Sequence, residues 1–311
     1  MILTVTPNPS LDYLFETDRL VWDDANRVDS PRLRPGGQGI NVTRAVRALG
    51  ESSVAVALLG GSTGDELERF LNNEGTGCER ITIAGATRVF FGVRERESGR
   101  SMLVNPRGPA IAADEEERID NEISQAISRA RPSWVAGCGS IPPGLSEEFY
   151  ARVAIAARSV GARFVPDCDG QALRCAFDHA DLIVPNQHEA ERLAETGIAD
   201  LKAAGKVARD LAGRGPKLVA ITLGAEGAVL TDGTFTWYAA PPAFTHGSAV
   251  GAGDAFLAAL LVSLQSRAAP QDALCTAVAA GAAVLCSRGS DLLTTADVRR
   301  LATNVRARPL D

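Results

Sequence analysis

Short apolar runs alternate with longer stretches of helical periodicity along most of the 311-residue chain, and this alternation limits the possible folds more than any other feature. Buried strands are predicted at residues 2–6, 53–58, 134–138, 163–166, 182–184 and 218–222. Helices are predicted at residues 65–73, 114–130, 146–160, 187–196 and 201–212. Strands that alternate with helices predict an α/β fold with a mainly parallel sheet and helices on both of its faces.

The composition is that of a globular protein whose charges are spread along the chain. Hydrophobic residues make up 45% and charged residues 23%, with a formal net charge of −6. We expect no nucleic-acid partner, because nucleic acids select basic patches. We also expect no membrane partner, because the longest apolar run, at residues 255–264, is too short to span a bilayer. The six cysteines form no C-x-x-C pair and predict reduced thiols in a cytoplasmic protein.

The segment from Val250 to Asp254 places two glycines and an alanine before an acid, at the start of a long apolar helix. A helix N-terminus has unpaired backbone N–H groups and partial positive charge, and glycine lets an anion approach them closely. A carboxylate there would repel an anion unless it had a further role, such as accepting a proton from an attacking hydroxyl. The alternative is that Asp254 is an ordinary first-turn acid beside a glycine-rich turn.

A second glycine-dense loop, Gly36-Gly37-Gln38-Gly39, runs into a helix whose first turn contains Asn41. The amide of Asn41 can both donate hydrogen bonds to a polar ligand and accept them from it. The loop lacks the G-x-G-x-x-G spacing and so does not predict dinucleotide binding. Close helix–strand packing by small residues is the alternative explanation of these glycines.

The two glycine-rich segments, in this order and at this separation, resemble the signatures of the PfkB/ribokinase family of sugar kinases. Further motifs resemble the hexose-phosphate branch of that family: residues 6–12 (TPNPSLD), 139–144 (GSIPPG), 167–170 (DCDG), 185–189 (PNQHE) and 221–228 (ITLGAEGA). The resemblance covers nearly the whole chain and implies one ribokinase-like, doubly wound domain over residues 1–311. It also implies phosphoryl transfer from ATP, with Mg²⁺, to a primary hydroxyl of fructose 6-phosphate, tagatose 6-phosphate or fructose 1-phosphate.

The resemblance assigns roles at the site of phosphoryl transfer. It implies that Asp254 is the catalytic base, and that the hole for the transferring group is formed by Gly251, Ala252 and Gly253. It also implies that Asn186 and Glu189, three residues apart at a helix start, hold Mg²⁺ through its water ligands. A helix cap and a solvated acid are the alternative for these two residues. The implied nucleotide-binding residues are Asn186, Thr222, Gly224 and Gly227.

The resemblance also implies a set of acceptor-binding residues. These are Asp12, Arg27, Gly37, Gln38, Asn41, Arg88 and Ser140. Asp12 would bind sugar hydroxyls, with an Asx turn as the alternative. Arg27 and Arg88 match positions that hold the acceptor's own phosphate, and a guanidinium fits phosphate geometry well. Solvated arginines are the alternative for both.

Four residues depart from those frequent in the branch. Lysine is frequent at the positions of Val184 and Gln38, asparagine at that of Phe90, and serine at that of Asp169. These departures keep two other functions open. One is a kinase for an unphosphorylated sugar or nucleoside, and the other is a sensor that binds a sugar phosphate without turnover.

Residues 13–35 and 80–105 have no helical period and contain alternating, strand-like segments. We assign both to a small β-sheet that projects from the core, and the resemblance implies that this sheet covers the sugar as a lid. A lid excludes water and limits hydrolysis of the nucleotide. A small sheet cannot bury the apolar side chains at 90–93 and 102–104 by itself, so we expect two chains to pair their lids in a homodimer.

Overall fold

The computed structural model describes residues 1–242, 250–286 and 293–310. Its strands are β1 (Ile2–Thr6), β2 (Ser10–Thr17), β3 (Arg32–Gly36), β4 (Ser53–Leu59), β5 (Cys78–Thr82), β6 (Arg88–Glu95), β7 (Ser101–Val104), β8 (Trp134–Cys138), β9 (Arg163–Asp167), β10 (Leu182–Ile183), β11 (Leu218–Thr222), β12 (Ala228–Thr231), β13 (Thr236–Ala239) and β14 (Ala307–Pro309). Its helices are α1 (Gln38–Ala48), α2 (Gly61–Asn73), α3 (Ala113–Ala130), α4 (Phe149–Ser159), α5 (Gly170–Ala176), α6 (Gln187–Ala194), α7 (Leu201–Ala212), α8 (Ala252–Gln265), α9 (Pro270–Cys286) and α10 (Thr295–Ala302).

The central sheet consists of two five-stranded parts that lie side by side. The first part has the order β5-β4-β1-β8-β9, and all of its strands are parallel. The second has the order β10-β11-β12-β13-β14, in which β10 and β11 are parallel and the later pairs are antiparallel. A backbone hydrogen bond of 2.9 Å from Asp181 N to Phe164 O joins the two parts. The predicted, mainly parallel sheet is confirmed, and its antiparallel strands lie at one edge.

Helices cover both faces of this sheet, because successive residues of its strands are buried on opposite sides. Ile2 and Ala136 face the side on which α1, α8 and α9 pack. Leu3 and Val135 face the side on which α3 and α4 pack. The chain therefore has the doubly wound, ribokinase-like α/β fold that the sequence predicted. The carboxyl ends of β1, β8, β9 and β11 point to one edge, where ligands bind in sheets of this kind.

A separate four-stranded sheet, which we call the lid sheet, has the strand order β3-β2-β6-β7. Strands β2 and β6 are parallel along their whole length, from the pair Ser10–Arg88 to the pair Thr17–Glu95. The predicted boundary of the second lid segment, at residue 80, is wrong. Strand β5 belongs to the central sheet, where it pairs with β4 and buries Ile81. The lid sheet's second segment begins at Arg88, and its first segment begins earlier than predicted, at Ser10.

Apolar side chains of the lid sheet and its loops stay exposed in a single chain. Trp22 in the loop after β2 is 70% exposed, and Leu103 in the edge strand β7 is 55% exposed. Such a surface is typical of a site that another protein chain covers. All six cysteines are free thiols. Within the described ranges, no helix combines the length and apolar character needed to cross a bilayer.

Candidate active site

The N-terminus of α8 is open on the side of its two glycines. Gly251 caps the helix with a positive φ of 86°, a conformation that favours glycine. A Cβ added to Gly251 or to Gly253 would meet no described atom within 4 Å. The first backbone N–H groups of a helix have no intrahelical partner. Space beside them and a glycine backbone together make this helix start suitable for an anion.

Asp254 lies in the first turn of α8 and is only 8% exposed. Its Oδ2 accepts a hydrogen bond of 2.8 Å from Asn41 Nδ2. Burial raises the pKa of Asp254 to about 6, while the bond from Asn41 and the charge of Arg34 act in the opposite direction. The carboxyl group is therefore mostly ionised at neutral pH, yet basic enough to accept a proton.

Asp12 lies on β2 and pairs with Arg34, whose charge also acts on Asp254. It is 6% exposed, and its carboxylate accepts bonds from Ser10 Oγ at 2.6 Å and Arg34 Nε at 3.3 Å. Burial raises the pKa of Asp12, against the lowering effects of Ser10 and Arg34. A Cβ at Gly36 would lie 2.2 Å from Asp12 Oδ1, so position 36 must be glycine for this carboxylate to fit.

Arg34 was not singled out from the sequence, although it directly precedes the glycine loop. The side chain pairs with Asp12 and lines a small cavity together with Asn41, Gly251 and Asp254. This cavity brings the two glycine-rich segments together. The position of Arg34 two residues before Gly36 was the available signal, but an arginine in a strand is most often a surface residue.

Three further predicted acceptor residues surround the start of α1. Gly37 caps the helix with a φ of 117° and packs against Pro9, where a Cβ would lie 3.1 Å from the Pro9 Cα. Gln38 is exposed, and its Oε1 comes close to Gly139. Ser140 follows β8, is exposed, and its Oγ accepts a bond of 3.0 Å from Asn8 Nδ2. The carboxyl ends of β1 and β8 thus bring these residues to one edge of the sheet.

The two predicted phosphate-binding arginines have different surroundings. Arg88 is partly buried, and its guanidinium donates to Asn8 O at 3.2 and 2.9 Å, to Pro106 O at 2.9 Å and to Asn105 Oδ1. Arg27 is exposed in the loop between β2 and β3, and no hydrogen bond or ion pair with another described residue is found for it. The phosphate-binding role of both arginines stays a prediction.

Asn186 and Glu189 form a capping box at the start of α6. Asn186 Oδ1 accepts from Glu189 N at 3.0 Å, and Glu189 Oε2 accepts from Asn186 N at 2.8 Å. These two residues therefore do cap the helix, which was the alternative to a role in binding Mg²⁺. Burial raises the pKa of Glu189, and burial with the charges of Asp254 and Glu189 raises the pKa of Asp167 to about 8. These three carboxyl groups share an electrostatic environment at one edge of the sheet.

Of the predicted nucleotide residues, Asn186 follows β10, Thr222 ends β11, and Gly224 and Gly227 lie in the turn after β11. Thr222 forms an isolated bridge with Asn186, and Leu223 N donates to Gly227 O at 2.8 Å. Gly227 has a φ of 100°, and a Cβ there would lie 2.1 Å from Ala239 O. This turn needs its glycine for backbone reasons alone, so a nucleotide role for Gly224 and Gly227 stays a prediction. Residues 243–249, which precede the glycine-rich segment of Asp254 in the sequence, lie outside the described residues.

The site has a buried acid at a glycine-rich helix start, and it lies at the carboxyl edge of a parallel sheet, beside the lid sheet. This arrangement is typical of an enzyme that transfers a phosphoryl group to a small acceptor. The model of the "pfkB family carbohydrate kinase" matches residues 8–296. The chain belongs to this family of carbohydrate kinases.

Individual relatives are similar over nearly their whole length. The chain is 30% identical over 303 residues to ATP-dependent 6-phosphofructokinase isozyme 2 of Escherichia coli, covering 96% of this chain and 97% of the relative. It is 29% identical over 307 residues to 1-phosphofructokinase of Bacillus subtilis, covering 98% and 99%. A solved structure of phosphofructokinase-2 from Escherichia coli in complex with fructose-6-phosphate has a TM-score of 0.89 at 28% identity, covering 97% of this chain and 98% of that one.

Proposed function

We propose that the protein transfers the terminal phosphoryl group of ATP to a primary hydroxyl of a sugar monophosphate, with fructose 6-phosphate as the first candidate acceptor. Tagatose 6-phosphate and fructose 1-phosphate are the other candidates. The observation that carries the proposal is Asp254, buried at the open N-terminus of α8 and bonded to Asn41 of the other glycine-rich segment. The similarity to two kinds of phosphofructokinase supports a phosphorylated acceptor.

Asp254 acts as the general base of the proposed reaction. Its ionised carboxylate accepts the proton of the acceptor hydroxyl as the oxygen attacks the phosphorus atom, and the bond to the leaving ADP oxygen breaks. The backbone of Gly251, Ala252 and Gly253 stabilises the charge on the transferring group. Asn41 holds the carboxylate in place from α1.

The acceptor lies between the lid sheet and the start of α1. Asp12 accepts hydrogen bonds from sugar hydroxyls, and the loop residues Gly37, Gln38 and Asn41 line the same side. Arg27, Arg88 and Ser140 bind the acceptor's phosphate. Four of the five N–H groups of Arg88 already have acceptors, so the phosphate takes the remaining Nη2 hydrogen or replaces Asn105.

ATP binds along the carboxyl ends of β10 and β11, beside Asn186, Thr222, Gly224 and Gly227. Within the described residues no three acidic, histidine or cysteine side chains lie close enough to hold a metal directly. Mg²⁺ needs few protein ligands and keeps several waters, so Glu189 and Asn186 fit it through water. When bound, Mg²⁺ neutralises charge on the phosphate groups.

Residues 1–311 act as one cytoplasmic kinase domain that pairs through its lid sheet into a homodimer. Exposed Trp22, Leu103 and Val104 support the pairing, since a second lid sheet would cover them. Arg27 belongs to the same exposed part of the chain. When two lid sheets pair, Arg27 of one chain contributes to the acceptor site of the other chain.

One observation favours a second candidate, a kinase for an unphosphorylated sugar: Arg88 is already occupied by protein oxygens. A coupled assay of ADP release separates the two. We expect turnover with ATP and fructose 6-phosphate, tagatose 6-phosphate or fructose 1-phosphate, at a kcat/KM well above that for free fructose or a nucleoside. A higher kcat/KM for free fructose would replace the proposal with the second candidate, and binding of sugar phosphate without ADP release would indicate a sensor.

A further inference from the structure

Asn8 joins three separate segments beside the acceptor site. It lies in the turn between β1 and β2 and is 4% exposed. Its Nδ2 donates to Arg107 O at 2.9 Å, in the segment after β7, and to Ser140 Oγ at 3.0 Å, in the turn after β8. Its backbone oxygen accepts both bonds from Arg88 Nε and Nη2, at 3.2 and 2.9 Å. One residue thus contacts both Ser140 and Arg88.

The direction of the bond between Asn8 and Ser140 follows from the contact between Asn8 and Arg107 O. A backbone carbonyl can only accept, so the Asn8 atom that faces Arg107 O is the amide nitrogen. That nitrogen has one further hydrogen, and Ser140 Oγ accepts it. The Ser140 hydroxyl proton is therefore available for donation to another group, and the exposed position of Ser140 leaves it accessible to a ligand.

Gly108 fixes the Asn8 amide in this orientation. It has a φ of 97°, and a Cβ at this position would lie 2.2 Å from Asn8 Oδ1. The backbone after β7 therefore crosses directly over the amide, which only glycine permits. A buried amide under a tight backbone crossing has little freedom to change its rotamer.

We propose that Asn8 is a positioning residue for the acceptor's phosphate. Its side chain donates to Ser140 Oγ, so that the Ser140 hydroxyl hydrogen can be donated to the phosphate. Its backbone carbonyl accepts hydrogen bonds from Arg88 and so holds that guanidinium nearby. A neutral donor and a cation then serve the same anion, a combination that suits phosphate. The inference rests on the proposed function, because it takes a phosphorylated acceptor as given. Asn8 touches no reacting atom, so its effect falls on the KM for the sugar phosphate and leaves kcat and the KM for ATP unchanged.

Asn8→Asp is the first test, because it keeps the shape of the side chain but replaces the donor with a carboxylate. The Ser140 hydroxyl must then donate to the new carboxylate, and its bond to the phosphate is lost. A hydrogen bond to a charged group contributes about 1.5–3 kcal/mol, so the KM for fructose 6-phosphate should rise by roughly 10- to 100-fold. Asn73→Asp, at the exposed end of α2, makes the same change of charge and should leave every constant within about twofold.

A double-mutant cycle identifies the route of the effect. Asn8→Ala keeps the backbone oxygen that binds Arg88. It removes the bonds to Ser140 and to Arg107 O, of which only the first involves a residue of the acceptor site. If Asn8 acts through Ser140, adding Asn8→Ala to Ser140→Ala should change the KM for fructose 6-phosphate no further. Two independent, multiplying increases in KM would overturn the inference, and so would an Asn8→Asp enzyme with the wild-type KM.

Ser140→Ala keeps the inference testable if the buried Asn8 variants do not fold, since Ser140 is exposed. An unchanged KM for fructose 6-phosphate in this variant would overturn the inference by itself. Failure of the proposed function is a different result, in which the wild-type enzyme turns over no sugar phosphate at all. Wild-type turnover with unaffected Asn8 and Ser140 variants refutes the role of Asn8 alone.

Discussion

Asn41 Nδ2 donates a hydrogen bond of 2.8 Å to Asp254 Oδ2, and this bond joins two side chains 213 positions apart in the sequence. Each residue belongs to one of the two glycine-rich segments, at the first turn of α1 and of α8. The bond places the loop that would bind the acceptor beside the acid that would take its proton.

Asp254→Asn should reduce kcat by roughly 100- to 10,000-fold, the usual contribution of a general base. The asparagine keeps an oxygen for the bond from Asn41, so the affinity for fructose 6-phosphate, measured by calorimetry, should change only a few-fold. A steady-state kcat within a few-fold of wild type would remove Asp254 from the role of base.

The activity should be lost in acid as Asp254 becomes protonated. Burial raises its pKa to about 6, and only the ionised form can accept a proton, so kcat should be maximal above pH 6 and fall about tenfold per pH unit below it. Asn41→Ala removes a bond that lowers this pKa, and the midpoint should therefore move to higher pH. Circular dichroism at each pH shows that the fold persists. A kcat that stays constant down to pH 5 would contradict the assignment.

The two arginines should affect phosphorylated acceptors selectively. Arg27→Ala and Arg88→Ala should each lower kcat/KM for fructose 6-phosphate by about 10- to 100-fold, with little change for free fructose or in the KM for ATP. Arg88→Ala should also lower Tm, because Arg88 holds Asn8 and Pro106, whereas Arg27 is exposed. Equal losses on both sugars would mean that the arginines shape the lid and do not bind the phosphate.

Glu189→Gln separates a metal role from a helix cap. Glutamine can complete the capping box as glutamate does, so Tm should be nearly unchanged. The loss of negative charge should raise the Mg²⁺ concentration for half-maximal activity several-fold, and excess chelator should stop the wild-type reaction. An unchanged Mg²⁺ requirement in the variant would leave Glu189 as a cap only, and full activity in chelator would exclude a metal.

The lid sheet should hold two chains together. Leu103→Asp places a charge on the exposed face of the edge strand β7 and should convert the dimer into a monomer near 32.6 kDa by light scattering. Ile155→Asp is the matched control, because Ile155 is 57% exposed on α4, outside the lid sheet. A wild-type mass near 32.6 kDa at assay concentration would refute the dimer.

The strands that sequence patterns predicted best are those buried on both faces. β1, β8 and β11 have the predicted bounds, because each is a mostly apolar run of strand length. The predicted lid segment includes the end of β5 because residues 80–105 have no helical period and contain strand-like alternation. With Ile81 as its one buried residue, β5 has a sequence that does not differ from that of a half-exposed lid strand. The helix predicted at 146–160 begins at Phe149, since a turn occupies the preceding residues.

The candidate site was predictable where a motif has its own local chemistry. Asp254 and Asn41 each lie in a glycine-rich segment, and the structure brings them together. The contacts of Asn8 and Arg34 were missed, because they depend on where several turns meet and not on any one segment. The anchoring of Arg88 by backbone oxygens has no sequence signal, since every residue has a carbonyl.

The position of Asp12 on β2 has a consequence for how the lid operates. β2 pairs with β6 along its whole length, so the strand that carries Asp12 is itself part of the lid sheet. A motion that lifts this sheet from α8 also carries Asp12 away from Asp254. In such a motion the acceptor site would be complete only when the lid sheet is closed. If the sugar contacts both Asp12 and Asp254, as proposed, it would bind only the closed form, and the fraction of closed enzyme would set the apparent affinity.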